Sequence, residues 1–250
     1  MTQALSTLYI GPLEGLTPPR VSPEPGPDAV PACTLLDPTY LVDLFERFGA
    51  RYGRRVDRRA VASLWSKWHF SALAAHGLAA NLLLERDLPL GLDDLHLAQS
   101  PEGQTTGLDL RHAGRPLADL GALSRFATLL DHHLSPLVEA LASATGASPR
   151  VFWSNAGNYF EHFAGAIREH PMAVPDVGEP ARALMESRTL PDGRRNPLYR
   201  PVRYVESSEP GAPARIRRLC CIRYLIGELG VCGNCPLACR RNARTTKVAG

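Results

Sequence analysis

Apolar residues recur at helical spacing along much of this chain, and the breaks between those stretches carry capping and turn residues. Leu41, Leu44, Phe45 and Phe48 share one helical face, and Asp37-Pro38 stands ahead of them as an N-cap followed by proline in the first turn. The pattern predicts a helix to about Arg51. Asp57 is a second cap. From Ala60 to Leu84 the series Val61, Leu64, Trp65, Trp68, Leu73, Leu78, Leu82 predicts one long helix, or two joined near Gly77. The period then changes. Leu95 and Leu97 flank His96, and Leu108 and Leu110 flank Asp109, so residues 92–112 read as a β-hairpin with a long polar loop. Helical spacing returns from Leu117 to about Leu130, from Leu134 to Thr145 with Gly146 as the stop, from Pro149 to about Arg168, and from Pro180 to Glu186. Asn155 and Asn158 are poor helix formers inside the stretch from Pro149, which suits either a hydrogen-bonding task or, the favoured reading, core packing with satisfied amides. Val202–Val205 and Arg215–Leu219 read as short strands, with a turn at 207–213 between them.

The first 36 residues behave differently. They hold seven prolines and little periodic apolar content, and predict an irregular, extended lead-in with an edge strand at Ala4–Ile10 at most. The expected organisation is a lead-in at 1–36, a mainly helical body with the hairpin at 37–206, and a distinct segment with a basic tail at 207–250. The fold class is α+β, a mainly helical body with a small antiparallel sheet and a cysteine-rich C-terminal segment.

Composition is compatible with a sizeable core, at 44% hydrophobic. No apolar run reaches the ~20 residues of a membrane helix. Met1-Thr2-Gln3-Ala4 lacks the basic start of a signal peptide, so a reducing cytoplasm is the expected compartment. The formal charge of +3 is unevenly spread. From Arg188 onward there are thirteen Arg and Lys against four Asp and Glu, leaving the first 187 residues at −6. An arginine-rich composition explains part of this. The remainder favours an anionic partner near the C-terminal segment.

That segment holds the candidate chemistry. Four of the six cysteines fall within sixteen residues, as Cys220-Cys221 and Cys232-Gly233-Asn234-Cys235-Pro236. Thiolates grouped this closely are ligands for zinc or for iron-sulfur clusters. The C-x2-C half suits either. The adjacent pair departs from the two-to-four-residue spacing of zinc ligands, so iron-sulfur is favoured over zinc, and both over a disulfide knot. Cys239 adds a further thiol after a three-residue gap, and Cys33 stands alone. His69 and His76 lie seven apart and lack a third ligand. His132-His133 would point about 100° apart on a helix, a poor chelate best placed in an exposed link.

The pattern C-C-x10-C-x2-C, with its following proline and preceding basic-apolar run, resembles the [2Fe-2S] signature of FhuF-type ferric siderophore reductases. The resemblance implies that Cys220, Cys221, Cys232 and Cys235 together bind one binuclear cluster, with Cys239 a neighbour. Outside residues 217–236 the likeness is one of length and helical character, plus a Trp153-Ser154-Asn155-Ala156 segment similar to a central helix of the family. It implies one-electron reduction of Fe(III) in a siderophore, hydroxamate-type favoured, and release of Fe(II). The electron would come from an external donor such as a ferredoxin or reductase, because the chain shows no nicotinamide or flavin fingerprint. Arg217, Arg218 and Arg223 flank the adjacent cysteines as contacts for chelate or donor, and no acid-base residue stands out. Trp65, Trp68 and His69 suit a siderophore-facing wall or, better, the core. No nucleic-acid partner is expected, and peripheral contact with the inner membrane or a transporter fits the same reading. Two other functions suit the cysteines: an iron-sulfur carrier or sensor without siderophore specificity, and a structural four-cysteine zinc module on a basic binding protein.

Overall fold

In a computed structural model, the chain is described for residues 5–53, 55–117, 121, 123–206 and 213–238. The predicted turn at 207–212, Cys239 and the basic tail lie outside these. Helix α1 spans Pro38–Gly49, and Asp37 caps it by accepting from the Thr39 amide at 2.8 Å. Helix α2 is a single rod, Arg58–Leu83, capped in the same way by Asp57 at the Arg59 amide. It does not break at Gly77. There the missing side chain leaves room for Leu90, whose Cδ1 would sit 2.9 Å from a Cβ. Almost every residue of α2 from Ala60 to Leu82 is buried, so it runs through the middle of the molecule rather than over its surface.

The hairpin forms as β4 (Leu95–Gln99) and β5 (Thr105–Leu110), with Leu95 opposite Leu110 and Leu97 opposite Leu108, all four in the core. The lead-in is more ordered than its prolines suggest. Its β1 (Arg20–Val21) pairs parallel with β5, and β2 (Val30–Pro31) pairs antiparallel with β4, so the sheet is mixed, in the order β1-β5-β4-β2. Asp109 accounts for the attachment. Its buried carboxylate accepts from Arg20 at 2.9 Å and from the Gly26 amide at 2.7 Å, strapping the lead-in across the hairpin. Residues 5 and 6 are helical rather than an edge strand, because Leu5 and Leu8 turn into the core instead of alternating. A two-stranded pair, β3 (Arg86–Asp87) with β6 (Arg115–Pro116), closes the far end of α2.

The helical run after the sheet changes pitch along its length. Ala127–Leu129 is α-helical, Leu130–Leu134 is a π turn, and helix α3 follows at Ser135–Thr145, ending where Gly146 takes φ +72°. The extra residue in the π turn rotates His133 inward. His133 is fully buried, which overturns its placement in an exposed link, while His132 remains at the surface. His133 Nδ1 donates to the Leu90 carbonyl at 2.6 Å, so its Nε2 accepts from His69 Nε2 at 2.9 Å. His69 Nδ1 then accepts from the Thr105 hydroxyl at 2.9 Å, and Trp65 stacks on the His69 ring. Burial pushes His133 down to about 4 and His69 well below its usual range. The two histidines are neutral core residues that tie α2, the sheet and the π turn together. His76 is bonded separately to Tyr9. Trp65 is core, and Trp68 is exposed on the other side of α2.

Helix α4 (Pro149–Ile167) packs along α2, and α5 (Glu179–Glu186) covers its end. Gly157 lets the chain that enters β7 (Val202–Val205) approach α4 closely, since a Cβ there would lie 2.6 Å from Pro201 Cβ. Strand β8 (Ala214–Arg217) pairs antiparallel with β7, placing Arg217 opposite Val202. One apolar core extends from Leu5 to Ile226, and Cys221, Cys232 and Cys235 form a small buried cluster of their own.

Candidate metal centre

Strand β8 ends at Arg217, and Arg218 and Leu219 lead from it to Cys220 and Cys221. Ile222 then turns the chain with φ 51°, two 3-10 turns follow at Arg223–Leu225 and Gly227–Leu229, and Gly230 with φ 54° brings it back. The second cysteine pair sits in a tight turn closed by the Cys235 amide donating to the Cys232 carbonyl at 3.0 Å. That turn is pinned twice. The Arg217 amide donates to the Asn234 carbonyl at 3.0 Å, and the Asn234 side chain donates to Asn158 Oδ1 at 2.8 Å. The two halves of the motif are therefore fixed to one another and to α4.

The four thiols meet in two pairs. Cys221 Sγ lies 3.7 Å from Cys232 Sγ, and Cys220 Sγ lies 3.9 Å from Cys235 Sγ. Each pair joins one adjacent cysteine to one member of the C-x2-C turn. Among the described residues, no three His, Cys, Asp or Glu side chains converge as a single-ion site. Three of the sulfurs belong to buried residues, and Cys220 is half-buried.

Two cations stand around the pairs, one from the body and one from β8. Lys67, near the middle of α2, puts Nζ 3.6 Å from Cys221 Sγ. Arg217 is fully buried; its Nη2 donates to Ser154 Oγ at 3.0 Å and to Asn155 Oδ1, while Nε and Nη1 are buried with no partner. Neither cation has a carboxylate partner among the described residues. Asn155 organises the floor, donating to the Ser63 carbonyl at 2.8 Å and to Ser66 Oγ at 2.9 Å. Ser63 Oγ donates to the Cys221 carbonyl at 2.7 Å, and Ser154 Oγ to the Leu219 carbonyl at 3.0 Å. So α2 and α4 hold the cysteine turns by their backbones, while Lys67 of α2 and Arg217 of β8 bring positive charge beside the sulfurs. The Cys232 thiol bonded to it, together with Lys67 and Arg217, holds Cys221 down to about 4 against the effect of burial. Bonding to Cys221 and burial push Cys232 up strongly, and burial pushes Cys220 up to about 11.

Two buried cations without carboxylates are costly unless an anion completes the site. Four thiolates around a [2Fe-2S] unit carry −2 oxidised and −3 reduced, and their sulfides accept hydrogen bonds of the kind Arg217 Nε and Nη1 leave open. Two ligand pairs suit two metals, each taking two sulfurs. The residues present fit that group.

The arginines named from the sequence separate. Arg217 faces inward and has no surface to offer a chelate. Arg223 donates to the Leu229 carbonyl within its own loop. Arg218 is exposed and lines two adjoining surface clefts. Sequence reasoning missed Lys67. Its signal was a lysine inside a helix that carries no other Lys, Arg, Asp or Glu from Ala60 to Leu83.

Residues 63–212 match the family described as "Ferric iron reductase FhuF-like transporter", more than half of the chain. The chain belongs to this FhuF-like family. A relative from Escherichia coli (strain K12), named ferric siderophore reductase, is 24% identical over 183 residues, 72% of this chain and 67% of that protein. The family match runs from Ser63 through Lys67, the hairpin, Asn155 and β7, and ends before the four cysteines. The matched body carries Lys67 but not Arg217, and it points to the FhuF-like family independently of the cysteine spacing. Among the described residues, no helix is long and apolar enough to cross a membrane.

Proposed function

We propose that this FhuF-like chain is a cytoplasmic ferric siderophore reductase, with a [2Fe-2S] cluster held by Cys221 and Cys232 on one side and Cys220 and Cys235 on the other. The observation that carries the reading is the pairing of the thiols two and two beside Lys67 and Arg217, cations that lack any described carboxylate. Such a cluster supplies one electron at a time, enough to take Fe(III) to Fe(II) with no bond in the chelator broken. Fe(II) then leaves, because oxygen-donor chelators hold it far less tightly than Fe(III).

The chain's own residues do the rest. Lys67 and Arg217 place positive charge beside sulfurs that become more negative on reduction, which favours the reduced state. The Asn155, Ser63 and Ser154 bonds hold the ligand turns to α2 and α4, so little has to move when charge changes. Burial of Cys221, Cys232 and Cys235 shields that side from water, and half-buried Cys220 is the edge open to a reaction partner. The electron is replaced by an external one-electron donor. A mononuclear zinc site suits the geometry less well, because it needs four sulfurs around one point.

The test is a visible spectrum with iron and sulfide assays on anaerobically purified protein. Two irons and two sulfides per chain are expected, with colour bleached by dithionite and restored by a ferric siderophore chelate, whether neutral or anionic. Colourless protein with one zinc overturns the proposal.

A further inference from the structure

Two surface clefts meet beside the cysteine turn, sharing Arg200, Pro201 and Arg218. The larger, about 910 Å³, has mixed charge, since Glu161, Asp176, Glu179 and Glu186 line it along with its arginines. The smaller, about 390 Å³, is different. Arg150, Arg195, Arg200 and Arg218 line it, with Trp153 and Tyr199, and no carboxylate does. None of these four arginines is ion-paired to a described carboxylate, and all four are exposed. Arg200 lies over the Tyr199 ring at 5.4 Å. The cleft also reaches the centre. Leu219, immediately before Cys220, forms part of its wall, and so does Ser154, which bonds both Leu219 and Arg217.

Four unpaired guanidinium groups around an aromatic wall form a site for an anion with planar, oxygen-rich faces. Guanidinium forks take carboxylate or phenolate oxygens in pairs, and the rings cover flat ligand surfaces. A neutral ferric chelate would leave the four charges unanswered. We propose that this cleft is the docking site for the substrate and that it selects ferric chelates of net negative charge, whether the charge sits on carboxylates or catecholates, over the neutral hydroxamate type. This rests on the reductase reading for the metal it carries. It departs from the hydroxamate preference that the cysteine resemblance implies. The volume suits a small or medium chelate, with the adjoining cleft accepting any overhang. Seated there, the chelate lies against the segment that bears Cys220, the half-buried edge of the proposed ligand set.

The test uses gallium(III) in place of iron, because Ga(III) chelates copy the charge and shape of ferric ones and accept no electron. Equilibrium dialysis of purified cluster-bearing protein would compare anionic Ga(III) tris-catecholate, anionic Ga(III) citrate and a neutral Ga(III) cyclic trihydroxamate. At least one anionic complex is expected to bind about ten-fold or more tighter than the neutral one, with affinity falling steeply as salt rises. The tighter of the two assigns the charge to catecholate or carboxylate. Arg150→Gln with Arg195→Gln should weaken anionic binding about ten-fold or more while leaving neutral binding and the visible spectrum unchanged. Equal affinity for neutral and anionic complexes overturns the cleft assignment, as does a double variant that binds like wild type. Failure of the reductase reading looks different: anionic Ga(III) binds through the arginines, but the Fe(III) counterpart does not re-oxidise dithionite-reduced protein.

Discussion

Lys67→Met is the most direct probe of the buried charge around the cysteines. Methionine keeps the length of the stem within α2 and removes the ammonium. Lys67 Nζ stands 3.6 Å from Cys221 Sγ. A metal on that sulfur lies about 2.3 Å further by ordinary metal–thiolate lengths, so about 5 Å is a fair separation between the lost charge and the added electron. With an effective dielectric of about 20, Coulomb's law gives roughly 3 kcal/mol at that distance. For a one-electron couple, where about 59 mV is tenfold in equilibrium, this corresponds to a fall in potential on the order of 100 mV. The sign is fixed: losing a cation disfavours the more negative, reduced state. The assay is a mediated potentiometric titration under argon, followed by visible absorbance. Lys67→Arg keeps the charge and should stay close to wild type. Arg59→Gln, at an exposed arginine paired with Asp57, should move the potential little because solvent screens it. A Lys67→Met potential equal to wild type, or higher, would refute the claim that Lys67 faces a redox centre through Cys221.

Three further outcomes follow from the structure. Cys232→Ser should abolish a full-strength cluster by breaking the Cys221–Cys232 pair, whereas Cys239→Ser should leave iron and sulfide content intact; loss of the cluster in the latter would mean that the four assigned ligands are wrong. His133 and His76 are pushed down to about 4 by burial, and His69 also lies well below its usual value. Their folded values are below the unfolded one, so their stabilisation is complete above about pH 6.5 and is lost as pH falls toward 4. His133 and His76 should each subtract about 2 kcal/mol by pH 5 in urea unfolding, His69 acting in the same direction, and a flat profile from pH 7 to 5 would remove them from the core. Gly157→Ala puts a methyl 2.6 Å from Pro201 Cβ and should cost about 1–3 kcal/mol, with visible loss of cluster occupancy because Pro201 leads into β7. Thermal unfolding with a parallel iron assay checks both.

The sequence by itself determined the local elements and the spacing of the four cysteines. Asp37 and Asp57 cap helices where the apolar period begins, and Gly146 ends one with a positive φ, because these signals act within a few residues and need no partner from elsewhere. The alternation around His96 and Asp109 yields the hairpin for the same reason, and Val202–Val205 appears where a period-two run stands between turn residues. Only the tertiary structure decided what crosses long distances. Asp109 looks like an ordinary outward strand residue until Arg20 and Gly26 close over it, converting a proline-rich lead-in into two strands. A π turn of one extra residue sends His133 into the core, and hydrophobic period alone cannot register such a slip. Arg217 and Arg218 are neighbours in the chain, yet strand alternation turns the first toward the sulfurs and the second toward the surface cleft, and which is which depends on the face β8 lays against α4. Lys67 meets Cys221 across 154 positions because α2 threads the core and α4 packs along it. Burial, not proximity in sequence, decides which charges face the cysteines.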